Sequence, residues 1–330
     1  MFLMDRVTVG NATLHFNLRD VSRMKKIFDQ RGRGLITIPE VDDDPQLFIE
    51  FDLSQNQLTA LPDNLARCTN LQSFSIYDNQ LTTLPESLWW LTQLRILNVS
   101  VNGLAELSDR IGDLTALEML DIAHNKLTAL PEALGNLRKL RFLYAGHNPL
   151  RSLPDFFPQL SELIYLNLTD TPLTALPDGI GHLTNLIELR LYNSQLASLP
   201  DTLGQLTNLR ELHLMNNQLT ALPATIGALP HLRKLHLEGN RLTALPETLG
   251  QLARLTELDL RNNKLESLPE SLGNLANLRY LDLRANKLTT LPDTLVALFA
   301  LEKLDLRWNK LVAVPAWLPQ LEARGCVVYY

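Results

Sequence analysis

Two series of histidines stand at matching positions of neighbouring sequence repeats and offer the clearest ligand chemistry in this chain. His124 and His147 are 23 residues apart, and Asp170 follows at the same spacing. Imidazoles on adjacent strands and a nearby carboxylate can bind one metal ion. The second series consists of His213, His236 and Asp259. Duplication of a repeat also places identical residues at matching positions, so we predict no metal site and favour a pH-sensitive contact with a partner.

The sequence motifs of common enzyme active sites are missing. We find no glycine-rich phosphate loop after a strand, no GxSxG elbow and no HExxH helix. Cys68 occupies a position where other repeats have leucine, so we predict that it is buried and unreactive. About eleven strand spacings of roughly 4.8 Å separate it from Cys326, too far for a disulfide. We therefore predict no enzymatic activity and no cofactor.

A regular series of asparagines determines the architecture. Ten asparagines together with Thr171 and Ser194 occupy twelve positions spaced 23 residues apart, so twelve repeats run in register without an insertion. Such a period indicates stacked supersecondary units rather than one globular core. The asparagines, spaced in multiples of 23 residues, are Asn56, Asn79, Asn102, Asn125, Asn148, Asn217, Asn240, Asn263, Asn286 and Asn309.

The alternation within each repeat predicts a strand. In one repeat, Leu212 and Leu214 point inward and His213 points outward. Stacked copies form a parallel sheet whose leucines close a continuous core. We expect each asparagine amide to bond backbone groups where the chain turns inward. A hydroxyl has fewer donors than an amide, so we expect the repeats that contain Thr171 and Ser194 to be the least stable part of the solenoid.

An acidic residue follows a Leu-Pro pair in nine repeats. We expect these carboxylates to cap the free amides at the start of a short helix or turn. A docking stripe for a basic partner is the alternative. The residues are Asp63, Glu86, Glu132, Asp155, Asp178, Asp201, Glu247, Glu270 and Asp293, and the third repeat has Ser108-Asp109 instead.

The repeat resembles the leucine-rich repeat, LxxLxLxxNxL, over residues 48–321. One copy of the motif consists of Leu209, Leu212, Leu214, Asn217 and Leu219, followed by Leu222-Pro223. The 23-residue form resembles the repeats of cytoplasmic Ras-binding scaffolds and Roco-type GTPases. This resemblance implies an α/β solenoid, a leucine-rich-repeat horseshoe with a parallel concave β-sheet, twelve repeats and terminal caps. It also implies a non-enzymatic intracellular scaffold that binds a partner protein on its concave face. The alternative is the substrate-recognition module of a longer enzyme, either a secreted bacterial ubiquitin-ligase-type effector or a Roco-like signalling protein.

Composition limits the partners and the compartment. The net charge is −6 without a basic stripe, so we predict no binding to nucleic acid. The sequence has no signal-peptide pattern and no apolar run of 18 residues, so we predict no membrane insertion. We expect a cytoplasmic protein, or one delivered into a host cytosol, that is monomeric alone and binds another protein.

We expect the two ends of the chain to form caps that cover the apolar core of the repeats. We predict an N-terminal cap at 1–47, a solenoid at 48–321 and a C-terminal capping strand at 322–330. The cap would contain a hairpin around Gly10-Asn11 and then a helix that carries Val21, Met24, Ile27 and Phe28 on one face. At the other end, Val327 and Tyr329 match the strand leucines of a further unit.

The outward residues of the strands are the candidate binding site, because the core does not require them. In repeats three to seven they are rich in aromatic and apolar side chains, which mark interaction surfaces when exposed. Curvature or a terminal segment that covers the rings is the alternative. Phe142, Tyr144, Tyr165 and Tyr192 are the predicted anchors, and Asp121, His147 and Arg190 would orient the partner. The full predicted site is Tyr77, Ile96, Met119, Asp121, Phe142, Tyr144, His147, Tyr165, Arg190, Tyr192, His213 and Met215.

The last four repeats differ, because Asp and Arg recur there two residues apart. We predict a solvated ladder of ion pairs, each worth a few tenths of a kcal/mol. Trp308 either shields the last turns or anchors a partner. The paired residues are Asp259, Asp282 and Asp305 with Arg261, Arg284 and Arg307.

Overall fold

The recurring leucines determine where strands form and which side is buried. Leu120 and Ile122 have no exposed surface, whereas Asp121 between them faces the other way. The computed structural model describes residues 26–39 and 44–330, together with the backbone of 6–9 and 12–15. The chain forms two compact units, Met1–Thr171 and Pro172–Tyr330.

The first unit contains a ladder of parallel strands, each hydrogen-bonded to the next along the chain. Its strands are Lys26–Asp29, Phe48–Asp52, Ser73–Ser75, Ile96–Asn98, Met119–Asp121, Phe142–Tyr144 and Tyr165–Asn167. Arg6–Val9 and Ala12–His15 form a separate antiparallel pair.

The second unit has a parallel ladder of the same kind. Its strands are Glu188–Arg190, Glu211–His213, Lys234–His236, Glu257–Asp259, Tyr280–Asp282, Lys303–Asp305 and Val327–Tyr329, and Leu318–Ala323 is an α-helix. The predicted stack of parallel strand repeats is thus confirmed within each unit.

The return segments contain short 3₁₀ helices. In eight of the nine Leu-Pro-acid motifs the acidic residue is the first helical residue, and the preceding proline is the N-cap, without a side-chain cap bond. Asp155 is the exception, because the helix that follows it begins at Phe157. In the third repeat Ser108 is the N-cap, and its hydroxyl accepts a bond from the Arg110 N–H at 3.2 Å. The helices are Pro45–Leu47, Asp63–Arg67, Glu86–Trp90, Asp109–Asp113, Glu132–Asn136, Phe157–Gln159, Asp178–His182, Asp201–Gln205, Ala224–Ala228, Glu247–Gln251, Glu270–Asn274 and Asp293–Ala297.

The asparagines join each repeat to the one before it, as the sequence predicts. The Asn125 carbonyl oxygen accepts the N–H of Leu104 at 3.0 Å. Its amide nitrogen donates to the carbonyl oxygens of Val99 and Ile122, each at 3.1 Å. Thr171 in the equivalent position donates its hydroxyl to Leu168 O at 2.7 Å.

The residue before each of these positions has left-handed backbone geometry. Its φ lies between 52° and 63° in eleven non-glycine residues, and Gly239 has φ 69°. Asn and Asp tolerate this region, whereas a β-branched residue such as Val101 is strained there. These residues form a row beside the strands, which we call the ledge: Gln55, Asp78, Val101, His124, His147, Asp170, Asn193, Asn216, Gly239, Asn262, Ala285 and Trp308.

The predicted N-terminal helix is wrong for Ile27 and Phe28, which lie in the strand Lys26–Asp29. Phe28 is paired with Phe51 in the parallel register, and their ring centroids are 5.1 Å apart. Packing against the next strand therefore outweighs the helical spacing of the apolar residues. Val21 and Met24 lie outside the described residues.

The predicted register of the last strand is also wrong. Val328, not Val327 or Tyr329, is paired with the core residue Leu304. Val327 and Tyr329 are 52% and 41% exposed. The last repeat contains one extra residue, so the pairing shifts by one and the inward and outward positions exchange.

Candidate functional site

The side of each sheet away from the leucines carries the side chains that the core does not use. We call it the strand face: the first and third residues of each three-residue strand and the residue two positions after the strand. In the longer strand Phe48–Asp52 the equivalent residues are Glu50, Asp52 and Ser54. Neighbouring strands lie about 4.8 Å apart, so residues at the same position form files across the sheet. Ile96, Met119, Phe142 and Tyr165 are successive members of one file.

Four of the predicted binding residues are buried, so the expectation that they form an exposed patch is wrong. The exposed fractions are 5% for Ile96, 1% for Met119, 0% for Phe142 and 5% for Tyr165. Large side chains in one file cover one another at this spacing. Arg141 also lies over the Phe142 ring at 5.9 Å, and Tyr144 packs against Tyr165 with ring centroids 4.8 Å apart.

The accessible part of the first unit's strand face lies in the other two files, and exposed residues of the ledge border it. Tyr77, Asp121 and Tyr144 are partly exposed, and His147 is exposed. The rings of His124 and His147 are stacked, with centroids 3.8 Å apart and planes inclined by 12°. His147 Nε2 lies 3.2 Å from Asp170 Oδ2. Desolvation, together with the neighbouring His147, lowers the pKa of His124.

Asp121 is an acidic residue of this surface with a raised pKa. It lies beside Tyr144 in the parallel register, and its Oδ1 accepts the Ala123 N–H at 3.1 Å. Desolvation raises the pKa of Asp121 to about 6, although hydrogen bonds from Ala123 and Ser100 oppose this shift. The carboxyl group therefore carries a charge at neutral pH in an environment that disfavours it.

The second unit holds the other predicted residues, Arg190, Tyr192, His213 and Met215, all partly exposed. Arg190 Nε lies 2.5 Å from an oxygen of the buried Glu188. This ion pair was not anticipated from the sequence. Its signal is the Glu-Leu-Arg spacing, which places both side chains on the strand face.

A cluster of ion pairs surrounds His213. Its Nε2 lies 3.3 Å from Glu211 Oε2 and 3.8 Å from Glu188 Oε1. Lys234 Nζ contacts Glu211 at 3.2 Å. The hydrogen bond from His213, reinforced by Lys234, lowers the pKa of Glu211 to about 2.

The predicted histidine series do not form metal sites in the described part of the chain. Glu188, Glu211 and His213 are the group there whose ligand atoms lie within 4.8 Å of one another. Arg190 and Lys234 already neutralise both glutamates, which opposes metal binding. The other series stacks its imidazoles face to face instead of directing them at one point.

The aspartate–arginine ladder of the last repeats is present, but Asp305 is buried and not solvated as predicted. Arg284 and Arg307 each form a two-pronged pair with the aspartate two residues before, at 2.6–3.0 Å for Asp282 and 2.7–2.9 Å for Asp305. Trp308 is 70% exposed, and the Arg307 guanidinium lies 5.5 Å from its ring. The indole therefore does not shield the core.

No helix among the described residues combines the length and the apolar character needed to cross a membrane. A comparison with curated proteins finds no match.

Solved structures similar to this chain include proteins of Leptospira interrogans, Arabidopsis thaliana and Drosophila. A leucine-rich-repeat protein of Leptospira interrogans is 34% identical, with 90% of this chain and 82% of that chain covered and a TM-score of 0.72. The ectodomain of a plant membrane receptor kinase from Arabidopsis thaliana, in complex with Casparian strip integrity factor 2, is 29% identical. The match covers 88% of this chain and 39% of that chain, with a TM-score of 0.66. A chain of the Toll–Spatzle complex of Drosophila is 26% identical. The match covers 83% of this chain and 41% of that chain, with a TM-score of 0.69.

The sequence matches two family models of the leucine-rich repeat. "Leucine rich repeat" matches residues 50–104, 161–219, 184–242, 207–265, 230–288 and 253–311. "Leucine-rich repeat region" matches residues 87–163. With the strand ladders and the asparagine bonds described above, these matches show that the chain belongs to the leucine-rich repeat family.

Proposed function

We propose that this chain is a non-enzymatic recognition protein that binds another protein on its strand face. The observation that carries the proposal is the contrast between the two sides of each strand. Leu97, Leu120 and Leu143 recur on the buried side with no exposed surface. Their outward neighbours, Asn98, Asp121 and Tyr144, are three different residue types. A surface free of packing requirements can vary in this way to fit a partner.

The accessible side chains suit protein recognition. Tyr77 and Tyr144 in the first unit, and Tyr192 and Met215 in the second, are partly exposed on the strand face. Tyrosine offers a large contact area at a modest cost in side-chain entropy. Because the sheet beneath holds these residues in place, less order has to be gained on binding.

Similar proteins support the same kind of function. The plant receptor ectodomain and Toll are each described in complex with another molecule. The free, buried cysteines Cys68 and Cys326 are compatible with a reducing compartment, so we further propose a cytoplasmic location.

The proposal is tested by capturing partners from a lysate of the source cells with immobilised native chain and four variants. Tyr144→Ala and Tyr192→Ala alter the strand face of one unit each. Glu132→Gln and Glu270→Gln alter exposed residues of the return segments. We expect a captured protein, re-tested in purified form, to bind at least one face variant about tenfold more weakly.

Both return-segment variants should bind this partner like the native chain. Loss of binding in Glu132→Gln or Glu270→Gln, with both tyrosine variants unaffected, would move the site to the return segments and overturn the proposal. Thermal unfolding of every variant checks that each remains folded.

A further inference from the structure

The turn between each 3₁₀ helix and the next strand places two residues before the next core leucine. Most repeats have uncharged residues there, such as Thr207-Asn208. The fourth repeat differs, because its turn is Arg138-Lys139 and no other repeat has two basic residues at these positions. Both side chains are exposed. The sequence therefore concentrates positive charge at a single turn of the first unit.

These two basic residues line an open groove of about 620 Å³ in the first unit, which we call the turn groove. This volume lies in the range of ligand-binding clefts, roughly 300–1,000 Å³. None of the described residues that line the groove is acidic. The lining side chains that can donate hydrogen bonds are those of Thr92, Gln93, Thr115, Asn136, Arg138 and Lys139.

The short side chain of Ala116, which also lines the turn groove, explains why the turns are open here. In other repeats an asparagine at the equivalent position bonds the turn before it. Asn208 Nδ2 donates to Thr184 O at 2.8 Å, and Asn277 donates in the same way at 2.7 Å. Ala116 has no amide with which to bridge its turn to that of Thr92, so the space between these turns is left unfilled.

The two basic side chains of the turn groove form no ion pair with any residue that the structure describes. The acidic residues on either side of the Ala116 turn have other partners. Asp113 contacts Arg110 at 2.5 Å, and Glu118 contacts Arg95 at 2.7 Å. The positive charge of the groove is therefore available to a ligand.

We propose that the turn groove binds a phosphate monoester of a partner protein, the side chain of a phosphorylated serine or threonine. Such a group carries about −1.5 to −2 charges at pH 7, which two cations balance. An arginine such as Arg138 can bind two phosphate oxygens at once, and Lys139 adds a compact charge. The hydroxyl of Thr115 and the amide of Asn136 supply further donors.

The overall charge of the chain favours this partner over a nucleic acid or an anionic membrane. With a net charge of −6, the chain repels an extended polyanion. A single phosphate group responds mainly to charges within about 10 Å, because salt screens the more distant ones. None of the residues of the turn groove belongs to the strand face, so the inference goes beyond the proposed function and does not depend on it.

The test measures binding of the full chain to a fluorescein-labelled glycine-rich peptide with one phosphoserine, by fluorescence anisotropy at low salt. We expect this peptide to bind, and the same peptide with serine or glutamate to bind at least about fivefold more weakly. Inorganic phosphate in excess should displace the labelled peptide.

A matched pair of variants separates the turn groove from general charge attraction. Lys139→Gln should weaken binding of the phosphoserine peptide by about fivefold. Arg254 is exposed at the equivalent position of the ninth repeat, in the other unit. Arg254→Gln removes the same charge and should change the affinity by less than about twofold.

Ala116→Asn tests the groove itself without a change of charge. It introduces the residue that other repeats have at this position, so the chain should fold normally, and thermal unfolding checks this. The new side chain would fill part of the turn groove, so we expect it to weaken binding of the phosphoserine peptide at least twofold, on the order of one lost hydrogen bond.

Equal losses in Lys139→Gln and Arg254→Gln would overturn the inference, because the attraction would then be general. Equal binding of the serine or glutamate peptide, or no binding of the phosphoserine peptide, would also overturn it. Unchanged binding by Ala116→Asn would place the phosphate outside the turn groove. The proposed function is tested separately, with Tyr144 and Tyr192 of the strand face, and stands or falls with those variants.

Discussion

At the scale of single residues, side chains satisfy backbone groups that the strand pattern leaves open. Asn125 is typical, because one amide bonds the N–H of Leu104 and the carbonyl oxygens of Val99 and Ile122. Its side chain is buried, so water cannot replace these bonds. Such a group stabilises the fold mainly by preventing unpaired polar atoms in the interior.

Asn125→Ala is therefore expected to lower the free energy of unfolding by about 2–4 kcal/mol. The equivalent change Thr171→Ala should cost less, because a hydroxyl has fewer donors than an amide. Urea denaturation of both variants measures the difference. Equal losses would contradict the prediction that the repeat of Thr171 is held less firmly.

Val101 occupies the left-handed ledge with φ 53°, where a β-branched side chain is strained. Val101→Asn introduces a residue that tolerates this geometry. We expect the free energy of unfolding to rise by about 1 kcal/mol, measured by urea denaturation. The reverse change Asn262→Val, at φ 56°, should lower it. Stabilisation by both changes would show that backbone geometry is not the cause.

Asp121 makes stability depend on pH. Its pKa is raised from 3.8 to about 6, so the folded chain binds this proton more tightly than the unfolded chain. The contribution of this group to stability therefore decreases as the pH rises from about 4 to 6. Asp121→Asn should stabilise the protein by on the order of 1 kcal/mol at pH 7.5 and by little at pH 4. Thermal unfolding at both pH values measures this; an equal gain at both would exclude the ionisation as the cause.

At the scale of the strand, the position within a file decides whether a residue packs or binds. The first file of the first unit is closed, because its large side chains cover one another. The file of third strand residues remains partly open at Asp121 and Tyr144. Two outward-facing residues of one strand, such as Phe142 and Tyr144, can therefore have different roles.

Phe142→Ala should cost about 3–5 kcal/mol of stability, because it leaves a cavity beneath Arg141. Tyr144→Ala should cost about 1–2 kcal/mol, because part of its ring is already in water. Urea denaturation compares the two variants. A larger loss for Tyr144→Ala would mean that Phe142 is not a packing residue.

At the scale of the whole molecule, burial of the two cysteines determines how readily their thiols react. Cys68 and Cys326 belong to different compact units, and both are free and buried. Burial raises the pKa of both thiols. The thiolate form, which is the reactive one, is thus scarce at neutral pH.

The native protein should react slowly with Ellman's reagent, and both thiols should react after unfolding in urea. Dithiothreitol should leave the melting temperature unchanged, because no disulfide supports either unit. Spectrophotometric thiol counting and thermal unfolding test these expectations. Rapid reaction of one thiol in the folded protein would identify a local opening at that cysteine.

The sequence by itself determined the period, the position of the strands, the buried leucines and the asparagine bonds. These features depend on contacts that every repeat makes identically, so a regular pattern predicts them. Gly135 and Leu137 in a return segment, for example, have equivalents in most other repeats. The residues of the candidate site could also be assigned to the strand face, because alternation along a strand states which side a residue faces.

Only the tertiary structure decided which of those residues reach solvent. Exposure depends on the neighbours that adjacent repeats supply, so Met119 and Phe142 are buried while Tyr144 is partly open. The same dependence on neighbours placed Phe28 in a strand against Phe51. Charge compensation is likewise a property of the assembled face, because it is set by which ions lie within a few ångströms of one another. The sequence contains the carboxylate of Asp121, but the fold surrounds it with side chains that do not neutralise it.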